Sequence, residues 1–501
     1  MSKHIIAKWS LLPLLLVLVV ISSCKKNFLD RQPLGRYIDE DVPTSSFDSK
    51  VFAAYAILRR GGFNDHLYLG IHSYRSDDSE KGSTITDGQD HGAMYDDFEY
   101  NKSNAGIQGY WTDHYALIIA ANAIIWDIDS LELTDAASQI NKGEAQFLRA
   151  FAFFDLVRSF GGVPKVDFKV HDPAQVNIKR ATAEEIFALI DQDLSAAAAV
   201  LPLKWDPPFK GRLTKGAAQA LHARTYLWRG MWQEALNAAK SVITSQQYSL
   251  VPNFGSQFRK EGENGPESIF EIQAYYSPTQ TNLGIIYANV QGVRGSGQWD
   301  LGWGWNTPTQ ELVDAFEPGD PRKNETILYS GQVDPLYGEN VPPYPTVPRL
   351  YWNKKVYTNP ADRLANNNKF GPWMNHRIIR YADVLLMAAE AANEIGGAQN
   401  TADALAWLEE VRGRARGNNP GILPEVTTTD QAELRDAIRH ERRVELAMEE
   451  QRFFDLVRWG IDVDVLHAAG KTNYEVKHRL LPIPQNEIDK SGGILEQNPG
   501  Y

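Results

Sequence analysis

The chain has 501 residues, of which 43% are hydrophobic and 23% charged, with a formal net charge of −12. That composition excludes a disordered or collagen-like chain, and the acidic surplus argues against nucleic acid as a partner, because binding it takes a basic surface that releases counterions. A single cysteine, Cys24, excludes an intrachain disulfide and a zinc–cysteine cluster.

The N-terminus reads as an export signal. Lys3, His4 and Lys8 surround the start of an apolar run over 9–21. The run is too short to span a bilayer, which takes roughly 20 residues, and has the form of a secretory core segment. Ile21-Ser22-Ser23-Cys24 resembles a bacterial lipobox: a branched apolar residue, two small residues, then the cysteine that is acylated and becomes the mature N-terminus. Residues 1–23 are therefore predicted to be a lipoprotein signal peptide, and Cys24 the lipidation site. Two or more acyl chains hold a soluble body stably on a membrane. Residues 24–45, polar and carrying Pro33 and Pro43, read as the tether.

Beyond the tether the spacing of apolar residues predicts helices over 47–60, 110–128 and 141–160. Residues 61–108, rich in Gly, Asp, Tyr and His, read as loops. Thr182 with Glu185 forms a capping box for a helix to Val200. A helix pair follows over 214–229 and 232–245, joined at Gly230. Residues 251–375 differ: Gly, Pro, Trp and Tyr are frequent, and only short runs such as 268–273 and 310–316 have a period. Helices return over 376–395, 402–414, 431–450 and 452–459, and the tail is irregular and punctuated by Pro. The fold class is mainly α, with helical regions over 46–250 and 376–501 around a loop-rich insertion at 251–375.

Two repeats lie inside the helical regions. Tyr226, Ala235, Ala239 and Val242 match the spacing of a tetratricopeptide repeat, in which small residues let paired helices approach closely. Phe-Phe-Asp-Leu-Val-Arg occurs at 153–158 and again at 453–458, each copy followed shortly by Gly. The Asp and Arg stand at i,i+3, as helix packing and pairing require.

No catalytic constellation is complete. His440-Glu441 begins a zinc-protease motif, but position 444 is Val. Gly470-Lys471-Thr472 ends like a phosphate loop, but the leading Gly is replaced by Val465. The doublets Asp77-Asp78, Asp96-Asp97 and Glu449-Glu450 offer paired carboxylates of the kind glycoside hydrolysis uses, although Glu449-Glu450 reads as a solvated helix face. Carboxylates and loop carbonyls supply calcium-type ligands, but no calcium loop motif marks a site. The chain is read as non-catalytic and without a cofactor other than the lipid on Cys24.

Two aromatic-rich segments carry the functional reading. One holds Tyr68, His72, Tyr74 and Arg75, with Asp77 and Asp78 behind them. The other holds Tyr275 and Tyr276, then Trp299, Trp303 and Trp305 in a Gly-rich run. Sugars present flat C–H faces edged by hydroxyls, which rings cover and polar side chains satisfy. A single Trp is more often core, and Trp303, Trp305, Trp352 and Trp373 read as packing. The set as a whole reads as a glycan platform.

In order along the chain stand Phe28-Leu29-Asp30, Leu148-Arg149-Ala150-Phe151, Phe160-Gly161-Gly162-Val163-Pro164, Pro308-Thr309-Gln310-Glu311-Leu312, Gly319-Asp320-Pro321-Arg322, Arg380-Tyr381-Ala382-Asp383, Glu441-Arg442-Arg443, Leu481-Pro482-Ile483-Pro484 and Gln497-Asn498-Pro499-Gly500-Tyr501. With the lipobox, these motifs resemble the SusD/RagB family of nutrient-binding outer-membrane lipoproteins over essentially the whole chain. The resemblance implies about four tetratricopeptide-like hairpins with a loop-rich inserted subdomain. It also implies a non-catalytic protein at the cell surface that captures oligosaccharide, or in some members peptide, for a SusC-like TonB-dependent transporter. Its ligand-contacting loops map here to His72, Tyr74, Arg75, Asp77 and Asp78, to Tyr275 and Tyr276, and to Trp299. Lys25-Lys26 after Cys24 departs from the acidic surface-export signals of such proteins.

Overall fold

Helix starts follow the capping chemistry of the sequence. Asp135 accepts from the Ser138 N–H, Thr182 and Glu185 form a reciprocal box, Thr214 accepts from Ala217, and Asp430 from Ala432 and Glu433. The computed structural model describes residues 47–88 and 92–501. The predicted signal peptide, Cys24 and the tether lie outside the described residues.

Eight helices follow one another in a stack: Ala105–Ser130, Ala136–Phe160, Ala183–Val200, Lys215–Trp228, Trp232–Thr244, Tyr381–Ile395, Ala398–Arg416 and Gln431–Glu445. Each packs on its predecessor and successor, and Trp232–Thr244 packs directly on Tyr381–Ile395 across the long insertion between them. Alanine makes the close approach feasible. Ala235, Ala239 and Val242 of the repeat motif are fully buried, as are Ala217, Ala220, Ala388 and Ala392. Ala136–Phe160 is buried on all sides from Gly143 onward, the position of a central helix rather than an amphipathic surface one.

The central helix carries charge into the core, and each charge is met. Arg149 reaches Asp193 through Nε and Nη2, both at 2.7 Å, and Asn122 at 2.7 Å. Glu144 accepts from Arg212 and from the Tyr55 hydroxyl at 2.7 Å. The two hexapeptide copies meet in space: Arg158 pairs with Asp155 and lies 4.1 Å from the ring centroid of Phe454, in the second copy. The repeat thus joins the first half of the stack to its end.

The insertion leaves and returns through one antiparallel ribbon. Ser268–Ile272 pairs with His376–Arg380 in the register Ile272↔His376. The sequence reading extended the 381–395 helix back to 376; the residues 376–380 are instead a strand, with Ile378 and Ile379 buried in the ribbon where β-branched side chains fit. A second ribbon, Ser79–Gly82 with Trp305–Pro308, ties the insertion to the first loop region. A third, Ile327–Tyr329 with Tyr351–Asn353, lies within the insertion. The 61–108 segment is less irregular than expected, since it includes the helix His66–His72, capped by Asp65.

The predicted 431–450 helix stops at Glu445, and Met448 and Glu450 take left-handed backbone angles of φ 63° and 57°. The helix end and the turn after it aim four carboxylates inward. Glu441 and Glu445 hold Arg322, Glu445 also holds Arg414 and Arg380 (2.6 Å), and Glu449 holds Arg380 (2.7 Å) and Lys355 (2.5 Å). Glu450 accepts from Tyr287 at 2.9 Å and faces His376 at 3.2 Å. Glu449-Glu450 is therefore a buried doublet that clamps the insertion, not a solvated helix face.

Burial alone would raise the Glu445 carboxyl, but Arg414, Arg380 and Arg322 outweigh it and hold it far below the usual carboxylate range. A group lowered in this way stabilises the fold above its unfolded value, about 4.3, and that contribution drains away as pH falls through the lowered one. Thermal melts from pH 7 to pH 2 should therefore show a steep loss of stability below about pH 4. Glu445→Gln should cost about 3–5 kcal/mol at pH 7, as breaking a buried pair does, and flatten that acid limb. An unchanged acid limb in the variant would refute the assignment.

Candidate functional site

The second ribbon presents a cluster of rings and charges at its Gly82/Trp305 end. Trp303 and Trp305 stand edge to face with centroids 5.3 Å apart, and His66 lies 5.7 Å from Trp303 and 5.8 Å from Trp305. Trp305 is buried, whereas Trp303 is half-buried and packs against the main core. Gly304 separates the two at φ 72°; a Cβ there would come within 2.7 Å of Arg294 Cβ and 3.0 Å of the Trp352 ring.

The loop 83–88 is fixed beside these rings. The Asp87 carboxylate accepts from the Trp305 indole N–H at 3.1 Å, from Ser83 Oγ at 2.8 Å and from Arg294 at 2.7 Å. Burial would raise the Asp87 carboxyl, but these donors win and lower it. Lys81 closes the loop from within, donating to the carbonyls of Thr84 at 2.7 Å and Asp87 at 2.5 Å. Gly88, at φ 64°, rests so near the Trp305 ring that a Cβ would fall 2.0 Å from it. Ile85 stands at the tip, 82% exposed.

A buried amide network holds the platform from behind. Asn306 accepts from the Ser73 hydroxyl at 2.7 Å and donates to Gln291 Oε1 at 2.7 Å, which also accepts from Asn353 at 2.8 Å. Rings fixed in this way beside a carboxylate and a guanidinium suit a ligand with an apolar face and hydroxyl edges. Among the described residues no group of three or more His, Cys, Asp or Glu is placed to hold a metal ion.

Most residues assigned to ligand contact from the sequence belong to the framework. His72 is fully buried, stacked on Tyr68 at 3.8 Å and 2.9 Å from the Tyr110 hydroxyl. Burial lowers its imidazole well below the ordinary value, so it is neutral. Tyr74 is also fully buried. Arg75 lies under the Phe453 ring at 3.9 Å and donates to the His478 carbonyl. Asp77 is held by Arg452 at 2.8 and 2.9 Å, and Asp78 by Arg443 at 2.7 Å. That doublet is a tether for the first loop.

Trp299 is likewise corrected. It is 5% exposed, in a small separate core with Leu301, Val341 and Trp352, and runs parallel to Tyr357 at 6.2 Å. Of the predicted set, Tyr275 is 53% exposed and Tyr276 half-buried, on the turn closed by Tyr275 N–H to the Leu283 carbonyl. Among the described residues no ring contact joins either tyrosine to the Trp303 cluster. Trp303, read from the sequence as packing, does pack against the main core, and it stays half-buried. The signal of that half-burial was the Gly on either side, which provides no side chain to cover it.

Comparison with known proteins gives a consistent picture. Residues 266–501 match the SusD family, and residues 27–227 match the family described as starch-binding and associating with the outer membrane. The chain is similar to SusD-like protein P2 of Formosa agariphila, 29% identical over 523 residues and covering 99% of each chain. Among solved structures it is similar to a laminarin-binding SusD-like protein, with 27% identity and a TM-score of 0.75, covering 91% of this chain and 98% of that one. It is equally similar in fold to surface glycan-binding protein A of Bacteroides thetaiotaomicron in complex with laminarihexaose, at 25% identity and TM-score 0.75, covering 90% and 98%.

The corrected assignments separate stability from binding. Asp77→Ala strips Arg452 of its two-pronged partner, while Arg443 keeps Asp78, and should lower stability by about 3–5 kcal/mol in chemical denaturation. Where the variant remains folded, its affinity for any glycan should match that of the unsubstituted chain in calorimetry.

Proposed function

This chain belongs to the SusD family, and we propose from that premise that it is a non-catalytic glycan-binding lipoprotein that captures oligosaccharide and passes it to a SusC-like TonB-dependent transporter. The observation that carries the reading is the half-buried Trp303, braced by Trp305 and His66 and edged by Asp87 and Arg294. An indole held rigid before the ligand arrives loses little freedom on binding. Relatives of the same fold whose names record laminarin and laminarihexaose support a saccharide as the ligand class.

Anchoring by lipid on Cys24, with the body facing the cell exterior, follows the lipobox and the family's association with the outer membrane. Among the described residues no helix is long and apolar enough to cross a membrane. The extended helical stack offers the broad surface that repeat scaffolds give to protein partners, which is what docking on a transporter requires. The paired carboxylates at 77–78 and 449–450 are consumed by arginine, lysine, tyrosine and histidine partners, which supports binding without turnover.

Affinity electrophoresis of the purified chain against a polysaccharide panel, followed by calorimetry with oligosaccharides of the retained class, tests this. Trp303→Ala should weaken binding by about ten- to hundredfold, the scale of 1.5–3 kcal/mol for one buried apolar side chain, without shifting the melting temperature appreciably. Trp299→Ala should instead lower stability. Binding of peptides and of no glycan would replace the saccharide with a peptide cargo.

A further inference from the structure

A cleft of about 640 Å³ opens at the opposite end of the second ribbon, beyond Pro308. Five residues separate Trp303 from Pro308, roughly 17 Å at about 3.4 Å per extended residue. Its volume falls within the ~300–1,000 Å³ of small-molecule sites. We propose that this cleft is a second saccharide-binding site, which accepts neutral oligosaccharides and rejects anionic ones. The proposal rests on the reading of the chain as a glycan binder.

Two rings line the cleft. Tyr344 is 58% exposed, an unusual position for a large ring with no solvent-side cover. Tyr351 stands on the wall and is fixed there, because its hydroxyl donates to Gln310 Oε1 at 2.6 Å and its ring meets Tyr329 edge to face at 5.7 Å. The lining is more polar than apolar, as hydroxyl recognition asks and the apolar anchors of a peptide do not.

The charges give the selectivity. Both cations of the lining are committed to the protein. Lys471 donates to the carbonyls of Tyr74 at 2.5 Å and Ser79 at 3.2 Å and pairs with Asp96. Arg349 pairs with Glu80 at 3.0 Å and donates to the Ser83 carbonyl at 2.8 Å. The carboxylates of Asp97 and Glu311 also line the cleft, both on exposed residues, and among the described residues neither has an ion-pair partner. Partial burial, with Asp96 and Glu99 nearby, raises the Asp97 carboxyl. Two uncompensated carboxylates accept hydroxyl donors well and repel a uronate or a sulfate.

The test begins from Trp303→Ala, which weakens the first site by about ten- to hundredfold. Calorimetry of this full-length variant with laminarihexaose, maltohexaose, cellohexaose and hexagalacturonate should show residual binding of at least one neutral hexamer bound by the unsubstituted chain. Adding Tyr344→Ala should reduce that binding by about tenfold or more, the scale of one lost aromatic contact, whereas Tyr344→Phe should retain it. Hexagalacturonate should bind only after Asp97→Asn with Glu311→Gln. Loss of all glycan binding in Trp303→Ala alone, or residual binding indifferent to Tyr344→Ala, would overturn the second site while leaving the first intact. Binding of a lysine-rich peptide in the cleft, lost in Asp97→Asn with Glu311→Gln and unaccompanied by any neutral hexamer, would overturn it in favour of a basic peptide. No glycan bound by the unsubstituted chain would overturn both readings together.

Discussion

The rest of the structure depends on the buried charges carried by residues 441–452. Glu441, Glu445 and Glu449 seat Arg322, Arg380, Arg414 and Lys355 from the insertion and the later helices. Arg442 joins Asp383 to Asp455, and Arg443 and Arg452 hold the Asp77-Asp78 doublet of the first loop. One short stretch of chain therefore fixes three otherwise separate parts. Removing a partner strands a charge where water cannot reach it, at about 3–5 kcal/mol, whereas exchanging a whole cluster for apolar groups is often neutral. The network constrains geometry more than it adds stability. Each carboxylate finds its partners only when the insertion is seated in one position.

That constraint explains how an irregular segment presents a defined site. The residues 273–375 carry little regular structure, yet both ends of the excursion are held by the Ser268–Ile272/His376–Arg380 ribbon, and its middle by Trp305–Pro308 against Ser79–Gly82. Asn306 takes φ 52° in that second ribbon, and its amide links Ser73, Ser79 and Gln291. The polar network behind the strand sets where Trp303 and Trp305 stand. The rings need no rearrangement to meet a ligand, the condition under which a small aromatic platform binds well.

The same ribbon has two chemically different ends. At one, aromatic rings dominate and the charges of Asp87 and Arg294 offset each other. At the other, tyrosines flank a more open cleft with an acidic surplus. On the proposed reading, stacking would govern the first, and hydroxyl donation and charge exclusion the second. A long polysaccharide touching both ends would gain from the short separation, because a second contact on one chain is effectively intramolecular.

Local chemistry was enough to read the helical stack from the sequence: the capping box of Thr182 with Glu185, alanine at the close approaches, and the two Phe-Phe-Asp-Leu-Val-Arg copies. The ordered motifs from Leu148-Arg149 to Asn498-Pro499 were likewise sufficient for the family. Which aromatics face solvent was not legible, because burial of a loop ring depends on what the rest of the chain brings over it. Arg75 and Trp299 look as exposed in sequence as Trp303 does, but Phe453 and His478 cover the first from hundreds of residues away and Tyr357 lies against the second from tens of residues away. Glu449-Glu450 read as solvated for the same reason, since its partners Lys355, Arg380 and Tyr287 precede it by long stretches of chain. Periodicity and capping are local quantities, and the sequence by itself determined what they control; exposure and charge compensation are long-range quantities, and only the tertiary structure decided them.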